Sequence, residues 1–543
     1  MRGHKTTYVL TYDVGTTGLK TCLFSITEKL ELTESAYAGY GLYTLENGGV
    51  EQDPEEWWRA VCSTTGEVIE KAGIRSEEVE AVSFCSQMQC LVLVDKDGRP
   101  VRRAMSYLDS RAQRQYAKGM TGGFTIDGLN ARKLLVSLAL TKAAAASVKD
   151  PVWKYNWVRD NEPENFSRVC KWLDAKEYLI ARMTGNMCMT IDSAYATMLY
   201  DVRPGKQGWS RRLCKMFGVN PDHLPRLIKS SDQAGCLAAG VSEEIGLKAG
   251  VRVYGGGGDA VLIGVGTGAM KLGETYVYLG TSGWVSTLTD RQILDIDSRI
   301  ASIIGPQPGR FHYFGEIETA GKCLEWVKDH LALDEIDVYL EKKSVTESTN
   351  GSLEKVYINL YDYLCEVVSR VPAGSGGVVF APWLHGNRCP FEDPNARGVF
   401  FNIGLETGKS ALIRAVIEGI CYHCRLVLEA EEKRIKTSDS VMISGGGALS
   451  PVICQILADV LGRRVLVLPN PQNSGSFGAA IVIAAGLGRI ASIEDAKTLL
   501  PPYTAYDPAG KNKPVHDRNY RVFKALYRDN KKSFALLNGR QGP

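Results

Sequence analysis

Short apolar runs alternate with longer amphipathic stretches along most of the 543-residue chain. Segments 8–12, 79–85 and 441–443 have the length and the β-branched or aromatic content of buried strands. Segment 410–433 has apolar residues at helical spacing, which predicts a long amphipathic helix. Strands that alternate with helices predict an α/β fold. Because the chain is longer than one ordinary domain, we expect two or more domains.

Four consecutive glycines, Gly255 to Gly258, follow the apolar segment 251–254 and lead into Asp259. Glycine has no Cβ, so the backbone of such a turn can approach a ligand closely. A carboxylate at the mouth of the turn could accept a proton or hold a metal ion. The alternative is that Asp259 merely caps the helix predicted at 260–268. Taken alone, the turn favours this simpler interpretation, and the rest of the chain changes the balance.

Two glycine- and threonine-rich turns lie between predicted strands, one in each half of the chain. Gly15-Thr16-Thr17-Gly18 joins strands 8–12 and 20–26, and Gly280-Thr281-Ser282-Gly283 follows strand 275–279. Hydroxyls and backbone N–H groups crowd into such turns and suit phosphate oxygens, although a single turn is as readily a plain hairpin. A third turn, 445–447, follows strand 441–443. Together the three turns predict that two α/β halves hold a phosphate chain between them.

Composition excludes several classes of protein. The chain carries 64 basic and 61 acidic residues, a net charge of +3 that gives no reason to expect nucleic acid or an anionic membrane as a partner. The first residues lack the apolar core of a signal peptide, and no apolar run reaches the roughly 18 residues of a membrane span. The 14 cysteines are scattered, as expected for buried side chains in a reducing compartment. These features predict a cytoplasmic protein.

Several motifs of other enzyme classes are absent from the sequence. There is no GxxxxGK[ST] P-loop and no protein-kinase catalytic loop. The glycine run does not continue as a dinucleotide fingerprint, because Asp259 stands where the phosphates would need room. Cys421 and Cys424 form a CxxC pair, but it falls in the middle of a predicted helix, whereas a redox pair normally begins one. We therefore expect no chemistry at these cysteines and no zinc site.

In their order and spacing, the motifs resemble those of the FGGY carbohydrate kinases, and within them most closely the xylulokinases. The resemblance spans about residues 8–488. Its motifs are Asp13-Val14-Gly15-Thr16-Thr17-Gly18-Leu19-Lys20, Gln87-Met88, Asp109 with Arg111, Asp192-Ser193-Ala194 through Asp201, Gly256-Gly257-Gly258-Asp259, Leu279-Gly280-Thr281-Ser282-Gly283, 393–398 and Gly445-Gly446-Gly447-Ala448. The resemblance implies an actin-like ATPase fold, in which two ribonuclease-H-like domains enclose a cleft that binds ATP and a sugar.

The resemblance also implies a role for each matching residue. Asp259 corresponds to the general base that takes the proton of the sugar hydroxyl. Asp13, with Asp259, corresponds to the carboxylates that position Mg²⁺. The ATP-binding positions implied are Thr16, Thr17, Lys20, Gly280, Thr281, Gly445, Gly446, Gly447 and Ala448. The sugar-binding positions implied are Gln87, Met88, Asp109, Arg111 and Asp259.

We therefore expect an ATP- and Mg²⁺-dependent kinase that phosphorylates a primary hydroxyl of a small ketose, with xylulose first. The expected domains are 1–254, 255–500 and a basic, helical tail, 501–543; a homodimer is a family-based expectation. The chain departs from the xylulokinase pattern at two places that face the sugar: Gln89-Cys90 replaces the usual His-Gly, and Tyr107-Leu108 replaces Trp-Asn. These changes alter the hydrogen-bond donors available to sugar hydroxyls and leave the identity of the sugar open. The alternatives are a kinase of ribulose, erythritol or glycerol, a sugar sensor without activity, and a chaperone-type ATPase.

Overall fold

The first of two large sheets contains seven strands. In this computed structural model, which describes residues 6–331 and 360–539, the strands are β1 (Thr7–Val14), β2 (Gly18–Ile26), β3 (Leu30–Gly39), β4 (Val79–Ser86), β5 (Gln233–Cys236), β6 (Arg252–Tyr254) and β7 (Gly257–Gly258). Their order is β5-β6-β4-β1-β2-β3, and β7 also pairs with β4. β1 and β2 form an antiparallel hairpin, whereas β1, β6 and β7 all run parallel to β4.

The second sheet contains eight strands and repeats the opening hairpin of the first. Its strands are β8 (Thr275–Leu279), β9 (Gly283–Thr289), β10 (Leu294–Asp295), β11 (Ile300–Ile304), β12 (Phe311–Ile317), β13 (Ser440–Ser444), β14 (Arg464–Val467) and β15 (Thr504–Tyr506). Their order is β10-β11-β12-β9-β8-β13-β14-β15. β8 and β9 pair antiparallel across the predicted turn, and β13 runs parallel to β8. The hairpins predicted around both glycine- and threonine-rich turns are therefore present.

Besides the two large sheets, the described residues form α-helices and short strands. The helices are α1 (Pro54–Ala72), α2 (Gln113–Met120), α3 (Ala131–Thr141), α4 (Pro151–Asn161), α5 (Pro163–Ser167), α6 (Ala175–Thr184), α7 (Ile191–Ala196), α8 (Arg211–Phe217), α9 (Ala239–Ile245), α10 (Asp259–Gly266), α11 (Gly321–His330), α12 (Leu360–Ser369), α13 (Lys409–Glu432), α14 (Pro451–Leu461), α15 (Ser474–Gly486) and α16 (Lys513–Asn538). The remaining short strands are Tyr43–Thr44, Val50–Gln52, Val92–Val94, Ala104–Met105, Thr125–Ile126, Leu129–Asn130, Lys171–Leu173, Cys188–Thr190, Tyr200–Asp201, Gly208–Trp209, Arg226–Ile228, Val379–Ala381 and Val399–Phe401.

Two predicted helices are present with small shifts at their ends. The amphipathic segment 410–433 is α13, and both Cys421 and Cys424 are buried in its middle. The helix predicted at 260–268 is α10, which begins at Asp259. The glycine run is not wholly a loop, because Gly257 and Gly258 pair with the end of β4. This pairing ties the position of Asp259 to the first sheet.

The cores show how the two halves are joined. One buried cluster fills the space around the first sheet and α1, and another lies under the second sheet and α13. A third cluster combines Val9 and Ala81 of the first sheet with Val261 of α10 and Ala480 of α15. The C-terminal helix α16 also buries Tyr520 and other apolar residues in the second core. The division into domains at residue 254 and at residue 500 stays a prediction.

Candidate active site

Two candidate carboxylates lie at the ends of strands on either side of Cys85. In the first sheet, Asp13 of β1 and Gly257 of β7 are both register partners of Cys85 in β4. Parallel strands end at the same edge of a sheet, and neighbouring strands lie about 4.8 Å apart. Asp259 lies two residues beyond Gly257. One strand, β4, therefore separates the end of β7, which Asp259 follows, from Asp13 in β1. The topology brings the two predicted acidic residues to one edge.

Asp259 is partly exposed, and its environment favours the protonated acid. Its Oδ1 accepts a hydrogen bond from the Ala260 N–H at 2.7 Å. Burial of its carboxyl group raises the pKa of Asp259 to about 7, and the negative charges of Asp13 and Glu316 also raise it. Gly258 is the N-cap residue of α10, so Asp259 itself is not the helix cap. A carboxylate whose pKa lies near neutrality suits proton transfer better than a purely structural role.

Asp13 lies in a tighter environment at the end of β1. Burial raises its pKa, whereas the charge of Lys20 and a hydrogen bond from the Cys85 thiol lower it. The first turns of α15 pass close by at Gly475. A Cβ there would lie 2.6 Å from Cys85 Sγ and 3.4 Å from Asp13 Oδ2. Glycine at position 475 therefore lets α15 approach the acidic pair.

The first glycine- and threonine-rich turn is braced from its own sheet. Gly15 N–H donates to Gly18 O at 2.9 Å, and Tyr40 OH donates to Gly15 O at 2.5 Å. Gln52 Nε2 donates to the Thr16 carbonyl at 2.6 Å. The predicted phosphate contacts at the turn remain accessible, because Thr17 is exposed, and Thr16 and Lys20 are half-buried. Lys20 Nζ also donates to Gln472 O at 3.1 Å, next to α15.

The second turn packs against the start of α11. Gly321 N–H donates to Gly280 O at 2.8 Å, and Lys322 N–H donates to Thr281 O at 3.1 Å. The side chain of Thr281 is exposed. This arrangement leaves the hydroxyl of Thr281 free to meet a ligand while the backbone of the turn is fixed.

The turn after β13 lies directly beside the second turn. Gly445 has φ +90°, and a Cβ there would lie 2.5 Å from Leu279 O; a Cβ on Gly447 would lie 2.8 Å from Leu279 Cβ. Gly446 is exposed and Ala448 is buried. The structure therefore brings the predicted ATP-binding residues Gly445 to Ala448 together with the end of β8, the strand that precedes Gly280.

Gln87, Met88, Asp109 and Arg111, which are predicted to contact the sugar, form the sugar wall. Its first two residues directly follow β4. Gln87 is buried, and its Nε2 donates to Gln52 Oε1 at 3.0 Å. Its Oε1 has no hydrogen-bond partner among the described residues. Met88 packs on Gly258, where an added Cβ would lie 2.2 Å from Met88 Sδ. The wall thus contacts the residue that precedes Asp259 and offers a buried amide oxygen.

Asp109 and Arg111 form a closed ion pair in the structure. Arg111 donates to both carboxylate oxygens of Asp109 and to Glu51 Oε1, and Val50 N–H donates to Asp109 Oδ2 at 2.9 Å. The side chains of Asp109 and Arg111 are 0% and 3% exposed. The pair braces the short strand Val50–Gln52, whose last residue, Gln52, reaches Thr16 and Gln87. Direct contact of this pair with a sugar stays a prediction.

Sequence patterns missed several side chains that complete the site. Tyr107 OH lies 3.1 Å from Thr16 Oγ1, so the residue noted only as a departure contacts the first turn. Gln52 donates to the first turn at Thr16, Cys85 hydrogen-bonds to Asp13, and the charge of Glu316 acts on Asp259. No local motif distinguishes these residues, because strands that are distant in sequence bring them together. Gly475 had one usable signal, its place in a segment of small residues.

The sequence patterns of known families and the sequences of known proteins identify relatives of the whole chain. The pattern of the FGGY family of carbohydrate kinases, N-terminal domain, matches residues 8–266, and the C-terminal domain pattern matches residues 275–487. Xylulose kinase of Lactococcus lactis is 30% identical, with 96% of this chain and 97% of that chain covered. Xylulose kinase of Bacillus subtilis is 27% identical, with 96% of each covered. Gluconokinase of the same organism is also 27% identical, with 96% and 95% covered.

Solved structures show the same architecture. A ligand-bound xylulose kinase and a gluconate kinase, both from Lactobacillus acidophilus, each superpose with a TM-score of 0.81 and cover 98% of this chain and 100% of their own. Both are 22% identical to this chain, so they establish the fold alone. The fold is the expected actin-like ATPase fold with two sheet-containing domains. Because the family patterns cover nearly all of the residues between 8 and 487, the chain belongs to the FGGY family of carbohydrate kinases.

Proposed function

We propose that the protein transfers the γ-phosphate of ATP to a primary hydroxyl of a small ketose, and that the ketose is xylulose. The observation that carries the proposal is the convergence of Asp13 and Asp259 at one sheet edge, with Cys85 between their strands. The curated relatives named xylulose kinase support the choice of sugar. A ketose with adjacent hydroxyls also suits a wall that offers Gln87 Oε1, which has no hydrogen-bond partner among the described residues.

We propose a task in this reaction for each group of the site. Asp259 would accept the proton of the attacking hydroxyl, because its pKa near 7 lets it ionise at neutral pH and still bind a proton. The N–H groups and hydroxyls of the two glycine- and threonine-rich turns would hold the phosphates. The turn at Gly445 would hold the adenosine. Phosphoryl transfer depends mainly on positioning and on charge stabilisation, and this arrangement supplies both.

The carboxylates of Asp13 and Asp259 fit a magnesium ion. Mg²⁺ prefers oxygen ligands and usually takes one or two carboxylates together with substrate phosphates and water. Each of these carboxylates has its pKa raised by burial, and Asp13 raises that of Asp259 further, so a cation between them would relieve the repulsion. In the described parts of the chain, no three acidic, His or Cys side chains form a complete metal site, which agrees with an ion that binds with the nucleotide. When bound, the ion would neutralise charge on the phosphates.

Gluconate is the second candidate substrate, because a gluconokinase is as similar as the xylulose kinase of the same organism. A gluconate carboxylate would need a cation, and two cations lie near the wall. Arg111 is paired with Asp109 and Glu51, and Lys154 Nζ donates to Gln89 O and Ser106 O at 2.7 and 2.9 Å. Both cations are already engaged, which favours a neutral sugar.

The proposed location follows from the substrates. A kinase of a free sugar uses cellular ATP, so we propose a cytoplasmic location. The homodimer is proposed separately, from the family resemblance alone. None of the helices in residues 6–331 and 360–539 is long and apolar enough to cross a membrane.

A substrate panel tests the proposed function directly. ADP release should be followed with ATP, Mg²⁺ and each of xylulose, ribulose, erythritol, glycerol and gluconate, and the sugar phosphate should be identified by mass. We expect the largest kcat/KM with xylulose. Gln89 and Cys90 alter the sugar wall, so the largest kcat/KM could fall to another ketose. That result would change the proposed substrate and leave the proposed kinase activity standing. ADP release that no sugar stimulates would overturn the proposal.

Replacing Asp259 by Asn tests the assignment of the base. Asn keeps the size and one acceptor oxygen but cannot take up the proton, so kcat should fall by about 10²–10⁴-fold. Sugar affinity, measured by calorimetry, should change far less. Asp13→Asn should instead weaken the dependence of the rate on Mg²⁺ and raise the KM for ATP. If Asp259→Asn keeps more than about a tenth of the wild-type kcat, another group is the base.

A further inference from the structure

A buried polar cluster lies behind the candidate site, on α6, α7 and the residues before them. Its charged members are Asp174, Lys176, Glu177 and Asp192, and each is at most 5% exposed. Burying four charged groups is costly unless they are paired and hydrogen-bonded. The assigned roles of base, metal ligand and phosphate turn use none of them. Their contacts therefore need a separate explanation.

Asp192 holds the residue that precedes the candidate base. Gly258 N–H donates to Asp192 Oδ2 at 2.7 Å. A Cβ on Gly257 would lie 3.2 Å from the same oxygen, so the carboxylate lies tightly against this glycine turn. Asp192 Oδ1 has no hydrogen-bond partner among the described residues. Because Gly258 is the N-cap of α10, this hydrogen bond helps to fix where α10 begins and hence where the carboxylate of Asp259 lies.

Asp174 holds the turn at the sugar wall in the same manner. Its Oδ2 accepts Gln89 N–H at 2.8 Å, and its Oδ1 accepts Cys90 N–H at 3.0 Å. Gln89 has φ +65°, a conformation that residues other than glycine adopt only when neighbours impose it. Lys154 binds the carbonyl of the same residue at 2.7 Å. The shape of the turn at 89–90 therefore depends on Asp174.

Lys176 supplies the positive charge of this cluster. Its Nζ donates to Thr190 Oγ1 at 2.6 Å and to Ser193 Oγ at 2.7 Å, and it forms an ion pair with Glu177. Burial alone would lower the pKa of Lys176, but the charges of Glu177, Asp192 and Asp174 raise it. The lysine thus remains charged and compensates the buried acids.

We propose that Asp192 and Asp174 are positioning residues of the kinase reaction, with Asp192 orienting the base through Gly258 N–H and Asp174 shaping the sugar wall through the backbone of Gln89 and Cys90. The inference rests on the proposed function. It assigns the two acids different effects: Asp192 acts on the chemical step, and Asp174 acts on sugar binding.

Asp192→Ala tests the first half of the proposal. Removing the acceptor should lower kcat by about 10- to 100-fold, because a displaced catalytic group loses rate steeply, and should leave both KM values within about twofold. Asp192→Asn keeps an acceptor oxygen for Gly258 N–H and should recover most of the rate. The matched control is Asp459→Ala. Asp459 is a buried acid on α14 that accepts a hydrogen bond from Ala509 N–H at 2.8 Å, and kcat of this variant should stay near that of the wild type.

Asp174→Asn tests the second half, because Asn has one acceptor oxygen where the structure uses two. It should raise the sugar KM by about tenfold, the effect of one lost charged hydrogen bond, with kcat and the KM for ATP nearly unchanged. Asp192→Ala should thus change kcat and not KM, and Asp174→Asn should change the sugar KM and not kcat. A general loss of stability would not produce this difference. Identical splits for both variants would overturn the assignment of separate roles.

Amide hydrogen exchange separates this inference from the proposed function. Asp192→Ala should speed exchange in a peptide that contains Gly258, whereas Asp459→Ala should not, and this readout needs no substrate. If the wild type phosphorylates a sugar but Asp192→Ala keeps its kcat and its protection at Gly258, the positioning role is wrong. If no sugar is phosphorylated but protection is lost, the hydrogen bond exists and the proposed function fails instead.

Discussion

Glu431 illustrates at the scale of one residue how burial changes an acid. It lies on α13, fully buried beneath the second sheet, and Thr287 Oγ1 donates to its Oε2 at 2.6 Å. Its Oε1 has no partner among the described residues. Burial raises the pKa of Glu431 well above its usual range, and the neighbouring charge of Glu432 adds to the rise. The fold therefore favours the neutral acid of Glu431 over its carboxylate.

Glu431→Gln should make the protein less sensitive to alkaline pH. The pKa of Glu431 is raised in the folded state, so its stabilising contribution is complete below the unfolded pKa of about 4.3 and is lost as pH rises toward the folded value. A neutral Gln does not titrate. The variant should match the wild type near pH 4 and unfold at a higher denaturant concentration at pH 8.

The control for this prediction is Glu164→Gln, since Glu164 is exposed on α5. Denaturant unfolding of both variants and of the wild type should be followed from pH 4 to pH 9. The difference between Glu431→Gln and the wild type should grow with pH, and the difference for Glu164→Gln should stay flat. A constant offset for Glu431→Gln would mean that this carboxyl is already ionised in the folded protein.

At the scale of one element, the turn after β13 depends on the backbone of Gly445. Gly445→Ala would place a Cβ 2.5 Å from Leu279 O at φ +90°, so the turn must move. Because this turn lies beside Gly280, we expect the KM for ATP to rise by about tenfold or more, with calorimetric sugar affinity unchanged. The measurement is steady-state kinetics with ATP varied at saturating sugar.

Gly462→Ala is the matched control for Gly445→Ala. Gly462 ends α14 at φ +65°, and an added Cβ would meet no atom within 4 Å. It introduces the same left-handed strain without the clash and away from the turn, so it should lower stability by about 1 kcal/mol and leave the KM for ATP alone. An equal rise in KM for both variants would show that Gly445 does not shape the nucleotide site.

Local patterns predicted the elements well because each element leaves its own signal. Apolar spacing indicated α13, and paired glycine- and threonine-rich turns indicated both hairpins. The pairing of Gly257 and Gly258 with β4 was not predictable, because two glycines carry no strand pattern. Bounds moved by a residue or two where caps, not apolar positions, end a helix, as at Gly258 and Asp259.

At the scale of the whole molecule, sequence order alone predicted which motifs belong together but not how they meet. Asp13 and Asp259 are 246 positions apart in the numbering and come together only through their strands' shared neighbour, β4. The sequence did not predict that Asp109 and Arg111 form an ion pair that braces Val50–Gln52, and their contact with a sugar stays a prediction. Polar residues look alike in sequence whether they face a ligand or each other.

Closure of the whole molecule on its ligands is the last prediction. One phosphate turn extends from the first sheet at Thr16 and the other from the second sheet at Thr281, and both side chains remain accessible. We expect both turns to bind the same ATP when the two sheets approach each other, and hinge closure is the usual way to achieve this. The region that joins them includes α10 and α15, which pack closely against each other at Gly266 and Gly478.

Small-angle scattering should show a smaller radius of gyration when sugar and a non-hydrolysable ATP analogue are added together. Sugar alone should produce a smaller decrease, because its predicted contacts, including Gln87 and Met88 after β4, lie on the side of the first sheet. Gly445→Ala with both ligands is the matched comparison, and it should close only at a higher concentration of the analogue. A radius that stays constant at saturating concentrations of both ligands would mean that the cleft is already closed, and the sugar and ATP would then enter through local motions of the turns instead.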